Sequence, residues 1–164
     1  MWLIKLATGI TQLIKCDSRG VAEGAEKSSM KELDEITGAI AVTSLKIHTE
    51  LGPGLLESVY EMVLARALEN LGFQVERQKS VSFKYDEMIF DDGFRIDMLV
   101  ENRVVVELKS LEKLAPVHSK QLLTYLRLMN LPVGLLINFG AGTLKEGLHR
   151  VVNRPLPPRL RASA

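Results

Sequence analysis

The stretch Phe94–Ser110, FRIDMLVENRVVVELKS, constrains the fold more than any other part of the chain. Two runs rich in β-branched and large apolar residues flank Glu101-Asn102-Arg103, which reads as two strands joined by a turn. Asp97, Glu107 and Lys109 interrupt those runs. Charges inside a buried hairpin are strongly unfavourable unless they are paired or bound to a metal.

Side chains alternate along a strand. Arg95, Asp97 and Leu99 are therefore expected on one face of the first strand, and Phe94, Ile96, Met98 and Val100 on the other. In the second strand, Arg103, Val105, Glu107 and Lys109 oppose Val104, Val106 and Leu108. An odd-length turn sets Asp97 opposite Glu107, with their Cβ atoms about 4.5–5.5 Å apart. Two carboxylates at that distance repel unless a positive group joins them. A divalent ion such as Mg²⁺ does this with few protein ligands and leaves positions for phosphate oxygens. Lys109 points into the same place, where it can orient an attacking water or offset charge developing on phosphorus. The same alternation also describes a solvated sheet face crossed by ion pairs. Spacing alone leaves both open.

The rest of the chain supplies elements to cover this hairpin. Residues 17–29, DSRGVAEGAEKSS, are small and polar and read as a linker. Ser29 to Glu32 has the form of a capping box, and Leu33, Ile36, Ile40, Leu45 and Ile47 follow near helical spacing. Leu51-Gly52-Pro53 ends that helix. A second helix is expected from Leu55 to Leu71, stopping at Gly72. Strands are expected over Gln74–Arg77 with Lys79–Tyr85, then Phe94–Val100, then Arg103–Ser110, with DEMIFDDG as a connection between the first and second. Pro116 opens a helix that reaches Asn130, and Val133–Phe139 reads as a buried strand. Thr143–Val151 is expected to form a last short helix, and RPLPPRLRASA a loose tail. The order is that of an α/β domain, a mixed sheet flanked by helices.

The net charge is +1, so composition does not announce a nucleic-acid binder, although a local basic patch is compatible with it. A 5% aromatic content argues against a base-stacking platform. The single cysteine, Cys16, allows no intrachain disulfide, which fits a reducing, cytoplasmic setting. Cys16 has no companion histidine in a recognisable arrangement, and a thiol enzyme is not indicated. No segment is long and apolar enough to span a bilayer, and the N-terminus departs from a secretion signal at Lys15 and in its missing cleavage site.

Asp97 followed by Glu107-Leu108-Lys109 resembles the D…(D/E)XK signature of the PD-(D/E)XK nuclease superfamily, with Ile96 where a proline is usual. Gly54-Leu55-Leu56-Glu57-Ser58-Val59-Tyr60 resembles the GxxExxY motif that names one bacterial and archaeal family of that superfamily, and Gln121–Tyr125 resembles the QxxxY motif of its RecB-like members. The likeness covers residues 30–150. It implies a restriction-endonuclease-like αβββαβ core with an extra N-terminal helix. The nuclease-like domain would occupy 30–152, residues 1–29 a poorly ordered extension, and 153–164 a flexible tail.

The resemblance further implies a Mg²⁺ (or Mn²⁺) ion held by Asp97, Glu107 and the Leu108 carbonyl, with Lys109 placing the nucleophilic water. It makes Glu57 a helix-borne acid that assists metal or water. Gln121, Tyr125 and Tyr60 would bind substrate, which would be nucleic acid, DNA first; a homodimer or protein partner stays open. His48 would cap its helix, while a solvent-facing role suits His118 and none is named for His149. The competing class is a non-catalytic nucleic-acid- or protein-binding module that keeps the nuclease fold.

Overall fold

The computed structural model describes residues 18–154, with side chains from Glu32 onward. The expectations for residues 1–17 and for 155–164 lie outside the described residues. The element order is α1 Ser18–Leu51, α2 Glu57–Asn70, β1 Val75–Tyr85, β2 Met88–Val100, β3 Val104–Lys109, α3 Pro116–Leu128, β4 Val133–Asn138, α4 Leu144–Gly147 and β5 Leu148–Val152. The five strands form one sheet in the order β1-β2-β3-β4-β5. Only β3 and β4 run parallel, joined by the α3 crossover; the other neighbours are antiparallel. From α2 to β4 this is the expected αβββαβ core, with α1 added before it.

Helices cover both faces of the sheet. On one face, Leu33, Ile36 and Ile40 of α1 and Tyr60, Leu64 and Leu68 of α2 pack with Met98, Val100, Val104, Val106 and Leu108. On the other, Leu122 and Leu126 of α3 pack with Ile96, Leu99, Val105 and Leu136. Full burial of each such side chain contributes about 1.5–3 kcal/mol. With both faces covered, β3 and β4 must be apolar on both sides. Hence the unbroken VVV of β3 and VGLLI of β4.

Several elements end as anticipated and others do not. Gly52, at φ +69°, takes the left-handed turn after α1, and Pro116 opens α3. α1, however, begins at Ser18, so Ser29 lies inside the helix and not at its cap. Residues 18–29 hold no proline and several good helix formers (Ala, Glu, Lys), which permits the extension. MIFDDG is not a connection but the outer half of β2. Asp86, at φ +55°, closes a tight turn, Phe83 stacks on Phe90, and Tyr85 pairs with Met88. The expected C-terminal helix is a single turn followed by β5, which pairs with β4 from Leu148 to Val152.

The face assignment of β2 also needs correction. Ile96 belongs to the α3-side cluster, but Met98 and Val100 belong to the α1/α2 side. Residues two apart share a face in a regular strand, so β2 inverts its phase at Asp97. β1 does the same, with Val75 on the α1/α2 side and Val81 on the α3 side. Between the pairs Arg77↔Met98 and Lys79↔Ile96, Gln78 stands across from Asp97 with φ +49°. The alternation expected from FRIDMLV therefore holds on each side of Asp97 but not through it.

Candidate active site

Glu101 and Asn102, both at φ +53°, form the turn between β2 and β3, and Arg103 N–H donates to the Val100 carbonyl. This fixes the register Val100↔Val104, Leu99↔Val105 and Met98↔Val106. One step further, Asp97 falls across from Glu107, but the backbones no longer pair. The Leu108 N–H instead donates to Asp97 Oδ2 at 2.8 Å. A carboxylate thus replaces a β2 main-chain carbonyl at the mouth of the hairpin.

Glu107 and Lys109 complete the cluster. Lys109 Nζ donates to Glu107 Oε1 and to the Leu108 carbonyl, both at 2.8 Å. The Glu107 side chain is only 6% exposed and that of Lys109 15%. Glu107 Oε2 is buried and has no hydrogen-bond partner among the described residues. Burial raises the Asp97 carboxyl above its ordinary pKa, against the pull of the Leu108 N–H and of Lys109. Burial also raises Glu107, reinforced by the charge of Asp97 and opposed by Lys109. Burial works against the Lys109 ammonium, but its bond to Glu107 and the surrounding carboxylates prevail and hold its pKa above normal. Two carboxyl groups and an ammonium with raised pKa values thus share one crevice, a kind of cluster that is enriched at functional sites.

A family model of the PD-(D/E)XK nuclease superfamily matches residues 34–151. The chain belongs to this superfamily. Comparison with curated proteins and with solved structures gives no match.

Members of the superfamily generally depend on a divalent metal, and the donors here suit one. Mg²⁺ takes oxygen ligands and needs only one or two carboxylates, keeping water elsewhere. Asp97, Glu107 and the Leu108 carbonyl supply such oxygens, and Glu107 Oε2 lacks a partner. Among the described residues no group of three or more His, Cys, Asp or Glu side chains is arranged around a metal position. The fit therefore depends on two carboxylates and a backbone carbonyl, and the Lys109 ammonium already touches two of those three groups.

The other sequence-derived candidates divide. Glu57, exposed in the first turn of α2, accepts the Ser110 N–H at 3.2 Å and contributes charge to Asp97, Glu107 and Lys109. Gln121 and Tyr125 are joined to each other through Gln121 Nε2 and the phenol oxygen, and the Tyr125 ring stacks on Phe94 at 4.3 Å. They sit on α3 and share no hydrogen bond with Lys109. Tyr60 is not brought to the cleft. It is fully buried against Phe139, donates its hydroxyl to the Gly52 carbonyl at 2.6 Å and accepts the Leu55 N–H at 3.2 Å. Its motif position thus braces the loop leading into α2.

His48 Nε2 donates to the Ala141 carbonyl at 3.0 Å, tying α1 to the loop after β4. His118 Nδ1 accepts the Ala115 N–H at the start of α3, and exposed His149 hydrogen-bonds to the Glu146 carbonyl.

Two contributors had escaped the sequence. Asn138, 1% exposed, ends β4 opposite Lys109 in the parallel register. Its Oδ1 accepts from Leu111 and Gly140, and its Nδ2 donates to the Leu111 carbonyl, so it anchors the chain just past Lys109. A lone polar residue closing the apolar run VGLLIN was the available signal. Glu61, on α2, is 5% exposed and accepts from Arg77 and Gln78. No spacing rule links Glu61 to a strand that follows so much later.

Proposed function

We propose that the protein is a metal-dependent nuclease that hydrolyses phosphodiester bonds of DNA, of the GxxExxY group by virtue of Gly54, Glu57 and Tyr60. The carrying observation is the unpartnered, buried Glu107 Oε2 beside Asp97 in a chain of this superfamily. Such an oxygen is strongly unfavourable unless a cation or proton meets it.

Asp97, Glu107 and the Leu108 carbonyl would hold Mg²⁺ or Mn²⁺. When bound, such an ion polarises the scissile phosphate and acidifies water. Lys109 donates hydrogen bonds to the attacking water and offsets the charge that builds on phosphorus. Glu57 holds the Ser110 N–H, and with it the backbone that carries Lys109. Gln121 and Tyr125 present a joined amide and phenol from α3 to the substrate. Residues 30–152 form the nuclease-like domain, preceded by an extension and followed by a tail. One cysteine and no described helix able to cross a membrane accord with a cytoplasmic protein.

Purified protein should cut DNA with Mg²⁺ or Mn²⁺, and Lys109→Ala should abolish the cutting. Equal cleavage by wild type and variant would identify a contaminant and defeat the proposal. One observation favours a non-catalytic binding module instead: the Lys109 ammonium occupies Glu107 Oε1 and the Leu108 carbonyl. Calorimetry with Mn²⁺ separates the two, since the module would show no uptake that depends on Asp97 and Glu107.

A further inference from the structure

We propose that Glu61, Arg77 and Gln78 form a clamp that holds the strand break aiming Asp97 into the cleft, so that Gln78 and Glu61 are positioning residues for Asp97. The proposal starts from the phase inversion. Ile96 and Met98 face opposite helical layers, and so do Val81 and Val75 of the neighbouring strand. Both strands thus turn over at one cross-strand position, Gln78 facing Asp97. Pairing of β2 with β3 ends at Met98↔Val106, next to the same position. Where the backbones part, the Asp97 carboxylate reaches the Leu108 N–H.

An inversion of this kind needs a residue outside the β region. Gln78 supplies it at φ +49°. That conformation is unfavourable for a side chain other than glycine, asparagine or aspartate, so something must hold it. Gln78 Nε2 donates to Glu61 Oε2 at 2.6 Å, and Arg77 Nε donates to Glu61 Oε1 at 2.8 Å. Both oxygens of a 6%-exposed carboxylate are thereby used by two consecutive residues at the break. A single α2 residue seizes the edge strand at the point where it must deviate. Glu61 lies one helical turn after Glu57, so α2 serves the cleft twice: through Ser110 on β3's side and through Gln78 on β2's side.

The clamp itself stands on the Asp97–Leu108 contact, while its catalytic meaning rests on the function proposed above. The test therefore reads both separately. Amide exchange at Leu108 reports the Asp97 hydrogen bond, and exchange at Leu136 in the sheet core reports global opening. Gln78→Val resists a left-handed backbone, whereas Gln78→Gly accepts it. We expect at least about ten-fold faster exchange at Leu108 in Gln78→Val, with Leu136 unchanged, and a smaller acceleration in Gln78→Gly, which accepts the backbone but loses the bond to Glu61. Glu61→Leu should resemble Gln78→Val; if it does not fold, the Gln78 pair decides. Unchanged Leu108 exchange in Gln78→Val, or equal acceleration at Leu108 and Leu136, overturns the clamp. Mn²⁺ calorimetry on the same proteins should show weaker binding in Gln78→Val than in Gln78→Gly. A wild-type protein that takes up no Mn²⁺ would remove the proposed metal site and leave the clamp to stand or fall on the exchange data.

Discussion

Lys109→Met offers a quantitative test of the cleft's electrostatics. Among the described residues the ammonium is the sole hydrogen-bond donor to Glu107, whose other oxygen lacks a partner there. Removing it leaves a carboxylate with both oxygens unsatisfied, 6% exposed, beside Asp97. Breaking a buried ion pair from one side costs about 3–5 kcal/mol. The 15% exposure of Lys109 and the option of protonating Glu107 reduce this to about 2–4 kcal/mol.

The sign with pH follows from linkage. Glu107 already has a raised pKa in the folded state, and losing Lys109 removes a lowering influence. The folded protein then holds a proton that the unfolded chain has released, so stability falls as pH rises from the ordinary glutamate range through the folded pKa. The defect should be larger at pH 8 than near pH 5. For a domain of this size about 1 kcal/mol shifts Tm by roughly 3–5 °C, so thermal unfolding followed by circular dichroism should show a drop of roughly 6–20 °C at pH 8. Adding Glu107→Gln should restore most of it. A drop of equal size at both pH values, or no recovery in Glu107→Gln/Lys109→Met, would refute the reasoning.

Tyr60→Phe forfeits the hydrogen bonds to Gly52 and Leu55 but keeps the ring on Phe139. It should lose about 1–2 kcal/mol by urea unfolding while leaving DNA affinity intact; a weakened affinity at unchanged stability would restore Tyr60 to the substrate site. Asn138→Ala strands three backbone groups of Leu111 and Gly140 and should cost about 3 kcal/mol or more in the same assay. A chain beginning at Met30 keeps every described core side chain, the first of which is Leu33. Its Tm should lie within a few degrees of the full chain's, and a loss of several kcal/mol would show that the N-terminal residues dock.

The sequence disclosed the hairpin, its turn and the position of Asp97 across from Glu107, though not that the backbones part there, because strand spacing and turn length are local and arithmetical. It disclosed the ends of α1 and α2 because Gly52 and Gly72 must adopt positive φ. It hid the inversion at Asp97 because FRIDMLV alternates in polarity as a regular strand would, and burial on both faces makes either phase acceptable. It hid the outer half of β2 because MIFDDG has no alternation to reveal it. There the pairing is set by the Asp86 turn and by the contact of Phe83 with Phe90. Tyr60 was misplaced for a related reason: helical spacing puts it near Glu57, but cannot tell that Phe139 will lie beneath its ring.

Lys109 gives the cleft a resident counter-ion on a covalent tether. The seat formed by Glu107 and the Leu108 carbonyl is neutralised as soon as the chain folds, before anything arrives from solution. Lys109 thus offsets one of the cleft's two carboxylate charges from within the chain, while Glu107 Oε2 stays without a hydrogen-bond partner among the described residues. An incoming cation must compete with an ammonium already in place, which makes entry an exchange of charges.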